Sequence, residues 1–141
     1  MSRYSQGFRT TGTSNAVLEI IGGAGSRAHL VELGMTIVNA TATQVGLGFS
    51  SAVGLTPVAP VTFLSDDDNS TLAITTALAW ATPPTLPTYF YRRATLPVVQ
   101  GFPLVWKWHT PLGLLLLPAT SIVLWLFATG SVIDGWAVFE Q

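Results

Sequence analysis

The chain has 141 residues, with six Lys and Arg against seven Asp and Glu, two His and no Cys. That is the length of one domain, and a net charge of -1 offers no basic cluster to displace counterions, so nucleic acid is not an expected partner. Without cysteine, neither a disulfide framework nor a thiolate metal site can form. Charged residues make up only 9% and hydrophobic residues 49%, against about 25% charged in an ordinary soluble domain. So poorly solvated an exterior is expected to meet other protein, and the chain is expected to oligomerise.

Residues 1–15 are polar, rich in Gly, Ser and Thr, and lack sustained periodicity. They read as an extended N-terminal arm preceding a domain over residues 16–141. Arg3, Tyr4, Phe8 and Arg9 are spaced along it and are residue types favoured at interfaces, so these four are the candidate partner-binding residues. The segment has no apolar h-region, which predicts synthesis in the cytoplasm rather than secretion. Ala16 to Ile21 predicts a first strand, ended by Gly22-Gly23-Ala24-Gly25.

The clearest two-residue period runs from His29 to Asn39. It sets Val31, Leu33, Met35 and Ile37 on one face and Leu30, Glu32, Gly34, Thr36 and Val38 on the other. Val45, Leu47 and Phe49 alternate with Gly46 and Gly48 beyond a short turn, which predicts an antiparallel hairpin with the preceding strand. Ser50 to Pro60 reads as a surface connection, Val61 to Leu64 as a short edge strand, and Asp66-Asp67-Asp68 as a loop tip. Asp66, Asp68 and Ser70 have the spacing of a calcium loop's first ligands. However, Thr71 replaces its glycine and Ala77 its bidentate Glu, so a solvated loop is the better reading.

Thr71 to Trp80 alternates again, and Thr82 to Pro87 is a stiff connector fixed by three prolines. Strands are predicted over Thr88 to Ala94, Leu104 to His109, Gly113 to Leu117, Ser121 to Phe127 and Val132 to Glu140. In the last, Ile133, Gly135, Ala137 and Phe139 share a face, and a terminal strand pinned inside a sheet is implied. Lys107 and Asp134 bracket 26 uncharged residues, long enough to span a membrane. Pro118-Ala119-Thr120-Ser121 divides that run into two pieces of strand length, so strands are the better reading, with a small membrane protein anchored by Leu112 to Ile133 kept as a further alternative.

Little catalytic chemistry is on offer. His29 and His109 are each placed at a strand end, no nucleophile, phosphate-loop or paired-His motif occurs, and no catalytic residue, cofactor or metal is expected. Tyr89, Tyr91, Trp106 and Trp108 could form a stacking platform for a sugar. The alternative function is accordingly a carbohydrate-binding sandwich.

Short antiparallel strands, Pro- and Gly-rich connections and no helical period indicate an all-β, antiparallel two-sheet β-sandwich, jelly-roll-like. The order of features resembles the decoration, or cement, proteins of tailed-phage capsids. The features are a polar arm, a hairpin built on Val31-Glu32-Leu33-Gly34-Met35-Thr36-Ile37, the turn Leu116-Leu117-Pro118-Ala119-Thr120-Ser121 before an apolar strand, and a final Gly135-Trp136-Ala137-Val138-Phe139-Glu140. The resemblance implies a homotrimer on the capsid exterior that stabilises the shell by bridging copies of the major capsid protein.

Overall fold

The computed structural model describes residues 2–25, 27–58, 61–66, 71–109 and 113–141. It is all-β, with thirteen strands among the described residues: β1 Arg3–Arg9, β2 Asn15–Gly22, β3 Ala28–Ile37, β4 Thr43–Phe49, β5 Leu55–Val58, β6 Val61–Ser65, β7 Thr71–Ala77, β8 Ala79–Thr82, β9 Arg92–Leu96, β10 Leu104–Lys107, β11 Leu114–Leu116, β12 Ser121–Leu126 and β13 Ile133–Glu140. Eleven form one antiparallel sheet in the order β10-β3-β13-β1-β6-β7-β2-β12-β4-β9, with β11 also paired to β3. Side chains from both halves of that order share one core cluster, and β9 approaches β3. The sheet therefore doubles over at β6 and β7 into a sandwich whose layers are β10-β3-β13-β1 and β2-β12-β4-β9. β5 and β8 make a separate two-stranded ribbon.

The alternation written in the sequence selects which faces are buried. In β13, Ile133, Ala137 and Phe139 are fully buried, and the strand is hydrogen-bonded between β3 and β1. In β3, Leu33, Met35 and Ile37 point into the core as their period predicts. Leu30 joins them, against the predicted face, because the β3–β13 register jumps at Val138/Phe139 and leaves Val31 without a partner. This β-bulge shifts the face by one residue, so Ala28 and Leu30 turn inward on the far side of it.

The predicted hairpin between β3 and β4 does not form. β3 is flanked by β13 on one side and by β10 and β11 on the other, while β4 pairs with β12 and β9, so the chain crosses from one layer to the other after Ile37. Buried hydroxyls pin the crossing. Ser131 Oγ accepts from the backbone N–H of Val38 at 3.1 Å and of Asn39 at 2.8 Å, and Thr43 Oγ1 accepts from Ser131 N–H at 2.8 Å while donating to Thr41 O at 2.8 Å. These bonds satisfy donors that a hairpin ladder would otherwise have used.

The extended arm is likewise corrected. Residues 3–9 are strand β1, paired along its whole length with β13 from Arg3↔Glu140 to Arg9↔Asp134, and at Tyr4 and Ser5 with β6. Tyr4 is buried in the core, Phe8 packs against it, and Arg3, Ser5 and Arg9, which made the segment look like a tail, lie on the outward face. β6, predicted at an edge, is interior, between β1 and β7. The strand predicted over 71–80 breaks at Leu78, sending β8 to the ribbon, and the strand predicted from Thr88 starts only at Arg92. Residues 114–116 and 121–126 are strands, and among the described residues no helix is long and apolar enough to cross a membrane, which says nothing of crossing by strands.

Two perturbations test this arrangement. Deleting Ser2 to Arg9 removes a strand that β13 bonds along its length, so the isolated protein should lose cooperative unfolding in calorimetry. Leu33→Asp puts an unpaired carboxylate at a position with 0% exposure and should cost about 4 kcal/mol or more. Glu32→Ala, on the outward face, should cost about 1 kcal/mol, the worth of one hydrogen bond. Similar denaturation midpoints for the two variants would show the register to be wrong.

Candidate interaction surface

The outward face of the β10-β3-β13-β1 layer carries matched polar partners. Trp136 lies across Gly34, where any Cβ would collide with the indole, and its Nε1–H donates to Glu32 Oε1 at 2.6 Å. Lys107 Nζ stands 3.5 Å from Glu32 Oε2. The indole hydrogen bond holds the Glu32 carboxyl below its ordinary pKa, opposed by partial burial and helped by the Lys107 cation. Directly opposite one another on β1 and β13, Arg9 and Asp134 form a two-point pair, Nε–Oδ1 at 2.5 Å and Nη2–Oδ2 at 2.6 Å, which lowers the Asp134 pKa and raises that of Arg9. Arg3 is paired with Asp66 at 3.7 Å, and Ser5 Oγ donates to the same carboxylate.

The four predicted partner-binding residues are therefore not a free set. Tyr4 is core, Phe8 is half-buried against it, and Arg3 and Arg9 are each matched within the chain. Because both ion pairs are solvent-exposed, they add little stability and leave little net field to attract an acidic surface.

Apolar surface concentrates elsewhere, at the two ends of the sandwich. At the end where β4 finishes and β12 begins, Phe49 sits between two clefts of about 250 and 290 Å³, the first bordered by Tyr89 and Tyr91 and the second by Leu115 and Leu117. Phe49 and Tyr91 meet edge to face at 5.4 Å, Tyr89 and Tyr91 lie 5.2 Å apart, and their hydroxyls are 3.0 Å apart. That hydrogen bond, with burial, raises the Tyr91 pKa. Tyr89 is 63% exposed. At the opposite end the β9–β10 loop presents Val98, Val99 and Phe102, with Val99 64% exposed. Gln100 Nε2 anchors that loop by donating to Val38 O at 2.6 Å.

The sugar platform is only half assembled. Tyr89 and Tyr91 border the cleft, whereas Trp106 is buried in the core and Trp108 packs against it. His29, in register with Glu140 and Leu115, and His109, exposed beyond β10, share no hydrogen bond. Among the described residues no group of three or more His, Asp or Glu could hold a metal ion; Asp68 and Ser70 of the calcium-like spacing lie outside them.

One important residue was not singled out from the sequence. Glu19 is fully buried in β2, its Oε1 accepting from Gly54 N–H at 2.9 Å and its Oε2 from Trp80 Nε1–H at 2.6 Å. It fastens the β5–β8 ribbon to the main sheet. The signal was present as a lone carboxylate inside the apolar run Val17-Leu18-Glu19-Ile20-Ile21, since a buried carboxylate requires donors to meet it. Comparison of the chain with protein-family models, with curated proteins and with solved structures finds no match.

The Glu32 pKa gives a signed expectation. A carboxyl whose folded pKa is depressed stabilises the fold above its unfolded value, and that contribution is lost as pH falls through the folded pKa. Trp136→Phe removes the main cause, so the Glu32 titration followed by carbon NMR should move upward toward the ordinary carboxylate range. An unmoved titration would assign the depression to Lys107 instead.

Proposed function

We propose that this chain is a structural protein that works by being covered. In this reading it is a homo-oligomer, a trimer in its specific form, that decorates the exterior of a tailed-phage capsid and stabilises the shell by bridging major capsid subunits after synthesis in the host cytoplasm. The observation that carries the proposal is the distribution of exposed apolar side chains. Among the described residues nine large hydrophobics, Tyr89, Val99, Phe102, Leu115 and Leu117 included, stand 38% or more exposed on a chain with 9% charged residues. Isolated exposed apolar side chains are ordinary, but grouped ones mark surfaces that meet protein.

Their placement also supports the reading. Six of them, Tyr89, Val98, Val99, Phe102, Leu115 and Leu117, lie at the two ends of the sandwich, with Leu55 and Val58 on the β5–β8 ribbon and Leu86 in the connector after it, while the outward face of the β3–β13 layer carries matched charges. Chains packed side by side on a shell would bury such ends and leave that charged face in water. The strand order, β10-β3-β13-β1 over β2-β12-β4-β9, supports taking the sandwich as a jelly roll, the architecture implied by the resemblance to cement proteins.

A second reading has one observation in its favour, the pair of an exposed Tyr89 and a half-buried Tyr91 beside the hydroxyls of Ser50, Ser51 and Thr88. A binding sandwich could stack a sugar ring on such a pair. A glycan array separates it from the first.

The covered-surface reading predicts a species heavier than a monomer in sedimentation at micromolar concentration. Val99→Ser with Phe102→Ser, or Leu115→Ser with Leu117→Ser, should shift the mass to that of the monomer in at least one case, and reduce occupancy on particles, while leaving the melting temperature nearly unchanged. Exposed side chains contribute little to the monomer's own stability. A sharp monomer mass for the unaltered chain would overturn the proposal.

A further inference from the structure

β9 ends the strand order, and it carries two adjacent guanidinium groups. Arg3, Arg9 and Lys107 each stand beside a carboxylate, whereas Arg92 and Arg93, like the exposed Arg27 before β3, have no carboxylate partner among the described residues. Both β9 cations are held by aromatic rings instead. Arg92 Cζ is 5.5 Å from the Trp108 ring centroid, and Arg93 Cζ is 4.1 Å from that of Phe127 and 5.8 Å from that of Phe90. Alternation along the strand puts the two cations on opposite faces.

The floor under Arg93 is built. Phe90 and Phe127 meet edge to face at 5.0 Å, and they lie over Gly46, where a Cβ would come within 2.6 Å of Phe90 Cδ1 and 2.9 Å of Phe127 Cζ. Only glycine on β4 lets both rings approach so closely. Beside the guanidinium is a shallow hollow of about 230 Å³ lined by Gln44, Arg93, Thr95 and Phe127. A guanidinium stacked on a ring keeps its in-plane N–H donors available to a planar acceptor, and the ring limits the side-chain freedom that binding would otherwise remove.

We propose that this hollow is a carboxylate-binding site, in which Arg93, with Gln44 and Thr95 at its rim, receives an Asp or Glu side chain from an acidic segment of a partner protein. One planar cation with two neutral hydrogen-bonding neighbours matches a singly charged planar anion. It does not match a nucleic-acid backbone, which requires a row of cations. The inference stands on the β9 geometry alone, whatever assembly the chain belongs to. The competing role is that of a guard, since charges on an edge strand also discourage edge-to-edge association.

The full-length chain is titrated at low salt with a glutamate octapeptide, with a lysine octapeptide and with inorganic phosphate, following the Arg93 Nε–Hε resonance by nitrogen NMR. The glutamate peptide should produce a saturable shift and the lysine peptide none. Arg93→Lys keeps the charge but loses the planar fork, and should weaken binding by about tenfold or more, while Arg9→Lys, whose cation is already matched, should leave it unchanged. Phe127→Leu, with its melting profile checked, should weaken binding through loss of the stack. Equal affinity in Arg93→Lys would overturn the proposal, as would phosphate displacing the peptide at equal concentration. Self-association of a charge-removing Arg93→Gln variant, with peptide affinity equal to that of the unaltered chain, would assign Arg93 to the guard role instead.

Discussion

The sandwich depends on β13 being hydrogen-bonded on both sides, by β1 from the start of the chain and by β3. That placement joins the two termini: Ser2 N–H donates to Gln141 O at 2.8 Å and Gln141 N–H to Ser2 O at 3.0 Å. A strand interior to a sheet exposes no ladder edge, so β13 can carry Ile133, Ala137 and Phe139 into the core without a polar backbone cost. The same constraint forces the bulge at Val31. β3 must stay in register with Ala137 at Leu33 and with Phe139 at Leu30, and the intervening odd residue is expelled from the ladder so that both ends of β3 face inward.

A sheet organised this way is closed by long-range pairs. β1 meets β13 across almost the whole chain, β2 meets β12, and β3 meets both β10 and β13. Such topologies require loop closure before contacts compensate for it, which places this chain among slow-folding sandwiches. Local pins therefore carry weight where the path is least regular. The Ser131 and Thr43 hydroxyls fix the crossing from β3 to β4, and Glu19 fixes the ribbon through Gly54 and Trp80.

The strands with an open period were legible in the sequence, with their buried faces, because each is a property of one strand: Leu33, Met35, Ile37, Ile133, Ala137 and Phe139 show it, whereas β5 falls inside the stretch from Ser50 to Pro60 read as a connection. Pairing was not legible, since it depends on which edges other strands have already taken. β3 and β4 look like a hairpin locally, yet both edges of β3 belong to strands from distant parts of the sequence. β1 was misread for a related reason. Its outward residues Arg3, Ser5, Gly7 and Arg9 dominate its composition, and the inward face carries Tyr4 and Phe8 with the polar Gln6 between them, which keeps any period from rising above the background of a polar tail. The aromatic floor beneath Arg93 was hidden because Gly46, Phe90 and Phe127 come from three separate segments.

Charge placement follows from the same geometry. A residue on the outward face of β1 faces one on β13 at a fixed register, so Arg9 meets Asp134 and the pair neutralises itself in place. Glu32 is matched by Lys107 across the β3–β10 ladder and by Trp136 across the β3–β13 ladder. Central strands thus convert charges into internal partners, because a neighbour is available on each side. An outermost strand has a neighbour on one side only. β9 is such a strand, bonded in the sheet to β4 alone, and the residues facing Arg93 from β4 are Gly46 and Gln44 rather than a carboxylate. β10 is outermost as well, yet its Lys107 meets Glu32 on β3. What leaves Arg93 without a carboxylate among the described residues is the composition of β4, its one neighbour in the sheet, while Phe90 and Phe127 supply the rings it rests on.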